Sequence, residues 1–195
     1  MSIFDSIKDK VLSLFDNSGW VKWVHDKDKP AYTQQDKELN LVYGSISKHC
    51  AMCLNLNGCC FPQSNMPPHP AHPKCHCQLE PATNINFKAE CSIDKFTNYI
   101  FDPIKNKGKK ELFEGWGYDI MDSQWLIDEY CRQAQQKYAN GDFELNKLSD
   151  FGQQININIT IPYKDGTGSG TVITGWMVCP NGTIELITAF SGWVK

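Results

Sequence analysis

Residues 155–161 read Ile155-Asn156-Ile157-Asn158-Ile159-Thr160-Ile161, and the strict alternation of isoleucine with a polar side chain marks a strand buried on one face. Downstream, the glycine-rich stretch Lys164 to Gly170 turns the chain into a second strand, Thr171 to Cys179. Pro180-Asn181-Gly182 then makes a tight hairpin into a third strand, Thr183 to Phe190. Upstream, the hydrophobic period is helical between Asp122 and Ala139. Trp125, Leu126, Cys131 and Tyr138 form its expected inward stripe, Asp122 or Ser123 its start cap and Asn140-Gly141 its stop. A helix or turn is also expected over Cys91 to Ile100. Helices followed by an antiparallel meander of three to four strands define an α+β layout.

The chain has 195 residues, enough for one ordinary domain or two small ones. Hydrophobic residues at 41% and charged residues at 21% exclude collagenous, coiled-coil and fully disordered chains. With 19 basic against 22 acidic groups there is no global basic field, so any nucleic-acid contact must be local. No apolar window is long enough to span a membrane. The N-terminal MSIFDSIKDKVLSLF carries charges through its apolar stretch, so a cytoplasmic product is expected. Within that segment Ile3, Phe4, Ile7, Val11, Leu14 and Phe15 recur at helical spacing as far as Asn17-Ser18-Gly19. Trp20 and Trp23 follow, then a charged run from His25 to Pro30 that reads as a linker.

All five histidines and six of the nine cysteines lie before residue 78, and Glu80 to Lys88 has no hydrophobic period, which places a boundary there. In the first part, Cys50-Ala51-Met52-Cys53 is followed by His69, His72 and Cys75-His76-Cys77. Zinc takes four thiolate or imidazole ligands in a tetrahedron, and a C-x-x-C turn presents two of them without strain. The first-ranked ligand set is Cys50, Cys53, Cys75 and Cys77; the second replaces one thiolate by His72. The intervening prolines (Pro62, Pro67, Pro68, Pro70, Pro73) limit helix and sheet, so a structural zinc ion would supply the missing order. Reduced thiols without metal, or disulfides formed outside the cell, are the alternatives. Adjacent Cys59-Cys60 reads as packing or reactive thiols. No catalytic-zinc motif is present.

The segment His49 to Gly58, then Phe61-Pro62, then Pro67 to Cys77 with its ending His72-Pro73-Lys74-Cys75-His76-Cys77, resembles the C-terminal signature of the phage Mu-like minor head (head morphogenesis) proteins. That signature is a C-x-x-C, a glycine and an aromatic, a proline-rich loop and H-P-x-C-x-C. The long helical region preceding it in full-length head proteins is absent, and Asn57 and Cys59 replace the usual neighbours of the glycine. A second set of positions is similar to a family of uncharacterised domains at the C-termini of bacterial polymorphic toxins and some phage minor head proteins. These run from Lys95-Phe96-Thr97-Asn98-Tyr99-Ile100-Phe101-Asp102-Pro103 through Lys107-Gly108-Lys109-Lys110, Phe113, Gly117-Tyr118 and Phe151-Gly152 to Thr174-Gly175-Trp176 and Leu186-Ile187-Thr188-Ala189. The hydrophobic period gives an N-terminal helix and linker (1–45), and the resemblances imply a zinc-binding head-morphogenesis-like module (46–80) and a toxin-like α+β domain (88–195). RNA, an immunity protein and phage head proteins are the implied partners, and virion association or delivery the implied destinations.

Domains at that address are often ribonucleases of the group that includes barnase, the endonuclease colicins and RelE. A metal-independent ribonuclease must activate the 2′-hydroxyl, stabilise the phosphorane and protonate the leaving oxygen. No histidine is available for this after residue 78. Lys105 and Lys107 are the candidate phosphate-binding residues; Lys109 and Lys110 are candidate catalytic lysines, Lys109 first. Thr174 and Thr188 are candidate phosphate-bonding hydroxyls, Trp176 a candidate base-stacking ring, and Glu111 and Glu185 are available carboxylates. The plainer expectation for the lysines is a solvated loop, and for the strand residues, packing. A non-enzymatic virion or adaptor protein is the rival reading. The Gly166–Gly170 loop lacks the lysine of a phosphate loop, and the single arginine, Arg132, sits mid-helix, which disfavours ADP-ribosyl transfer.

Overall fold

The computed structural model describes residues 19–26, 28, 35, 49–72, 75–104 and 108–193. The expected helix over Ile3 to Phe15 and the lysines Lys105 and Lys107 lie outside the described residues. The chain divides into two compact units. The first comprises Met1–Asn86 with Leu148–Gln153 and Cys179–Gly182; the second comprises Phe87–Lys147, Gln154–Val178 and Thr183–Lys195.

The first unit is built on a three-stranded antiparallel sheet, in the order β2 (Cys60–Pro62), β1 (Trp20–Val24), β3 (Gln78–Pro81). Strand β1 pairs Val21 with Phe61 on one side and Trp23 with Leu79 on the other. Its Val21 and Trp23 are fully buried, while Trp20, Lys22 and Val24 alternate outward. The sheet stops at both ends of the proline-rich stretch, whose described residues between 63 and 77 contain no helix or strand, in line with its prolines. Helix α1 (Ala51–Leu56) starts at Cys50, whose sulfur accepts from the Cys53 amide. It ends before Gly58, whose φ of 83° only glycine adopts without strain, and whose amide donates to Trp23 O at 2.7 Å.

The second unit is α+β. Its five-stranded mixed sheet has the order β4 (Lys88–Glu90), β8 (Thr183–Trp193), β7 (Ser169–Val178), β6 (Gly152–Pro162), β5 (Glu144–Ser149). Strands β6, β7 and β8 form the expected antiparallel meander, with Ile157 opposite Thr174 and Gly175 opposite Thr188. The sheet exceeds the expected three or four strands because the three-residue β4 adds parallel to β8, too short to show a period. Ile155, Ile157, Ile159 and Ile161 are all buried, as the alternation requires.

Helix α3 (Ser123–Ala139) follows α2 (Lys109–Gly115) and a 3₁₀ turn (Ile120–Asp122). Its inward stripe is Leu126, Ile127, Tyr130, Ala134 and Tyr138; the Tyr130 hydroxyl donates to Ala189 O at 3.0 Å. Trp125 instead is 43% exposed and stacks on Tyr118, because it lies about 100° round the helix from Leu126. Capping also falls one turn earlier than expected. Asp119 accepts from the Met121 amide and Asp122 from the Asp119 amide, a reciprocal box. Among the described residues no helix is long and apolar enough to cross a membrane.

At Gly170 on β7 the Trp116 ring lies where a Cβ would stand. Gly170→Ala must therefore displace the indole, and the overpacking should cost about 1–3 kcal/mol, read as a lower denaturation midpoint.

Candidate metal centre and candidate active site

Within the first unit, α1 places Cys50 at its N-cap and Cys53 in its first turn, both buried. The proline-rich loop returns His72, Cys75 and Cys77 to the same place, with the Cys75 amide donating to His72 O at 3.0 Å. His72 Nε2 stands 3.2 Å from both the Cys50 and Cys53 sulfurs, and the Cys53 and Cys75 sulfurs are 3.7 Å apart. Two sulfurs bound at about 2.3 Å to a tetrahedral zinc ion would lie roughly 3.8 Å apart, so the spacing fits. Both ligand sets read from the spacing thus converge on one cluster. The structure adds His49, whose Nδ1 is 4.0 Å from the Cys77 sulfur and which groups with Cys53 and Cys77. These Cys/His groups are close enough to hold a metal ion.

The thiols perturb one another strongly. Hydrogen bonding from Cys53, aided by the nearby His72, holds the Cys50 thiol down at about 6, and Cys53 and Cys77 draw Cys75 far below the ordinary range. Cys53 is pushed far up by its bonds to Cys50, Cys75 and Cys77. Cys77, though drawn down by Cys53, is driven to about 11 by Cys75 and by burial. Four thiolates this close repel, and a bound cation is what allows all of them to ionise. Cys59 and Cys60 stay apart from the cluster: their thiols donate to Asn55 O and Gly58 O, and burial raises both.

The second unit carries a cleft of about 540 Å³ lined by Ser92, Asp94, Lys95, Tyr99, Ile187 and Thr188. A π-helical turn, Phe96–Ile100, buries Phe96 and Ile100 and leaves Tyr99 on the cleft. Lys95, just ahead of it, donates to Ile187 O at 2.8 Å. Lys109 opens α2 and is only 9% exposed; its ammonium donates to the Tyr99 hydroxyl and lies 3.7 Å from that ring's centroid. A buried ammonium needs such a partner. Lys110, one position on, points elsewhere and pairs with Glu114 at 3.6 Å. Of the sequence candidates, then, Thr188 lines the cleft and Lys109 reaches it through Tyr99. A second cleft of about 610 Å³ shares Ser92, Lys95 and Ile187 and adds Glu90, Cys91 and Glu185.

Thr174 and Trp176 take no part in this cleft. Both are fully buried; Thr174 donates to Ile157 O at 2.7 Å and accepts from Trp176 Nε1 at 2.7 Å. The even-numbered residues of β7 face the core, so a base has no access to the Trp176 ring. Thr174→Val strands the indole N–H and should cost about 1–3 kcal/mol, measured as a shift in the urea midpoint. Lys95 and Tyr99 are the functional candidates that spacing alone did not single out. Their separation by four residues, one helical face, is the signal that was available.

Fold and sites together define a two-unit α+β protein with a Cys/His cluster in one unit and a lysine–tyrosine cleft in the other. The chain belongs to the family described as Domain of unknown function (DUF6883), whose model matches residues 84–192, over half of its length. No curated protein and no solved structure matches it.

Proposed function

We propose that the chain is a phage- or prophage-encoded protein in which a zinc-stabilised, head-morphogenesis-type module carries a toxin-like domain that cleaves RNA without a metal ion. The observation that carries the catalytic half is the buried Lys109 ammonium on the Tyr99 hydroxyl, at a cleft that also holds Lys95 and Thr188. This pair offers proton transfer and positive charge in a domain that lacks histidine. Lys109 donates to the phenol oxygen, so the phenol's own proton is free to point into the cleft. In this reading Lys95 and the Thr188 hydroxyl hold the non-bridging phosphate oxygens. The 2′-oxygen attacks phosphorus, losing its proton to Asp94 or Glu185, while the bond to the 5′-oxygen breaks and Tyr99 protonates the leaving group.

The zinc half rests on the chemistry of the donors: clustered thiols and imidazoles are the soft set that holds structural zinc. Zinc there would supply charge neutralisation and order, held by four donors drawn from Cys50, Cys53, His72, Cys75 and Cys77.

Purified protein incubated with RNA in the absence of added divalent ions should give fragments ending in 2′,3′-cyclic phosphate. Intact RNA with confirmed folded protein would leave the cleft as a binding site. Glu90, Asp94 and Glu185 around the two clefts favour that rival, an adaptor whose second unit takes a basic protein segment. Its mark would be association with purified capsids without growth inhibition.

A further inference from the structure

Six metal donors converge in the first unit, but a tetrahedral ion needs four. A single ion held by Cys50, Cys53, His72 and Cys75 leaves Cys77 and His49 buried and unspent. The donors instead fall into two groups, Cys50–Cys53–His72 and His49–Cys53–Cys77, with Cys53 common to both. Cys75 stands beside the shared residue, its sulfur 3.7 Å from that of Cys53. We infer that the cluster holds two divalent ions in tetrahedra sharing an edge, bridged by the Cys53 and Cys75 thiolates, with Cys50 and His72 terminal on one ion and Cys77 and His49 terminal on the other. This rests on the metal-binding reading of the cluster proposed above.

Three physical facts favour two ions. Edge-sharing tetrahedra use six donors, the number formed by Cys50, Cys53, His72, Cys75, Cys77 and His49. Four thiolates balance the charge of two divalent ions, so the buried assembly is neutral, whereas one ion leaves either surplus negative charge or protonated thiols. Finally, His49 is built as a ligand. Its Nε2 is 2.8 Å from Asp26 O, and since a carbonyl only accepts, Nε2 carries the hydrogen and Nδ1 presents its lone pair towards Cys77. A backbone carbonyl holding the far nitrogen is the usual support for a metal-bound imidazole.

Native mass spectrometry of the full chain, purified after expression with zinc, counts the ions. Two zinc ions per chain are expected, falling to one in His49→Ala. One ion in the unaltered protein overturns the two-ion assignment while leaving the metal centre standing; none overturns the metal centre itself. Two ions retained in His49→Ala would overturn the ligand set. Substitution with cadmium-113 gives a second readout on the unaltered protein. Two resonances split by mutual coupling through shared sulfur support the bridge, and a single resonance contradicts it.

Discussion

Stripping metal from the folded chain with a strong chelator at neutral pH should unfold the first unit. Apart from the sheet β2–β1–β3 and helix α1, its described residues from 63 to 77 contain no regular element, and that stretch carries His72, Cys75 and Cys77. Metal binding at structural sites of this kind is worth about 10–16 kcal/mol at neutral pH. A whole domain is stable by only about 5–15 kcal/mol, so loss of the ion exceeds what the small apolar core around Val21, Trp23, Leu56 and Phe61 can offset. The readouts are a red shift and quenching of Trp23 emission together with the appearance of rapidly reacting thiols. A chelator that changes nothing, while a reductant unfolds the protein, would mark the sulfurs as disulfide-forming.

The second large effect is expected at the Lys109–Tyr99 pair. Tyr99→Phe keeps the ring and deletes only the hydroxyl, and should lower RNA cleavage by roughly 10²- to 10⁴-fold, the range for loss of a positioned proton-transfer group. Lys109→Ala removes the charge that orients the phenol and should fall in the same range. Because Lys109 is buried, its variant is compared with Lys109→Met, which keeps most of the side-chain volume; both should be folded by circular dichroism and both inactive. Lys110→Ala, which loses only the exposed contact to Glu114, should cleave as the unaltered protein does. Equal activity in Tyr99→Phe would remove the phenol from the reaction.

The meander was legible because the Ile155–Ile161 alternation persists over a whole strand and because Asn181-Gly182 supplies the positive φ angles that its hairpin needs. Strand β1 was not. Trp20-Val21-Lys22-Trp23-Val24 is five residues beside a charged run, and it becomes a central strand only through pairing with β2 and β3, far along the chain. Strand β4 was hidden for the same reason. The cysteine cluster was legible from spacing, since C-x-x-C and C-x-C constrain local geometry. His49 lies outside both patterns and is recruited by the return of Cys77 and by Asp26 O. Lys95 and Tyr99 share one helical face by their spacing, but their place at the cleft depends on where the π-helical turn lies against β8. Thr174 and Trp176 show the converse: side chains suited to nucleic acid, turned to the core by the pleat of β7.

The most direct test of the account is tightly controlled expression of the chain in bacteria, with growth and total RNA followed together. The account predicts growth arrest with discrete RNA fragments for the unaltered protein, and normal growth with intact RNA for Tyr99→Phe at equal soluble level. Normal growth and intact RNA with soluble unaltered protein would contradict it.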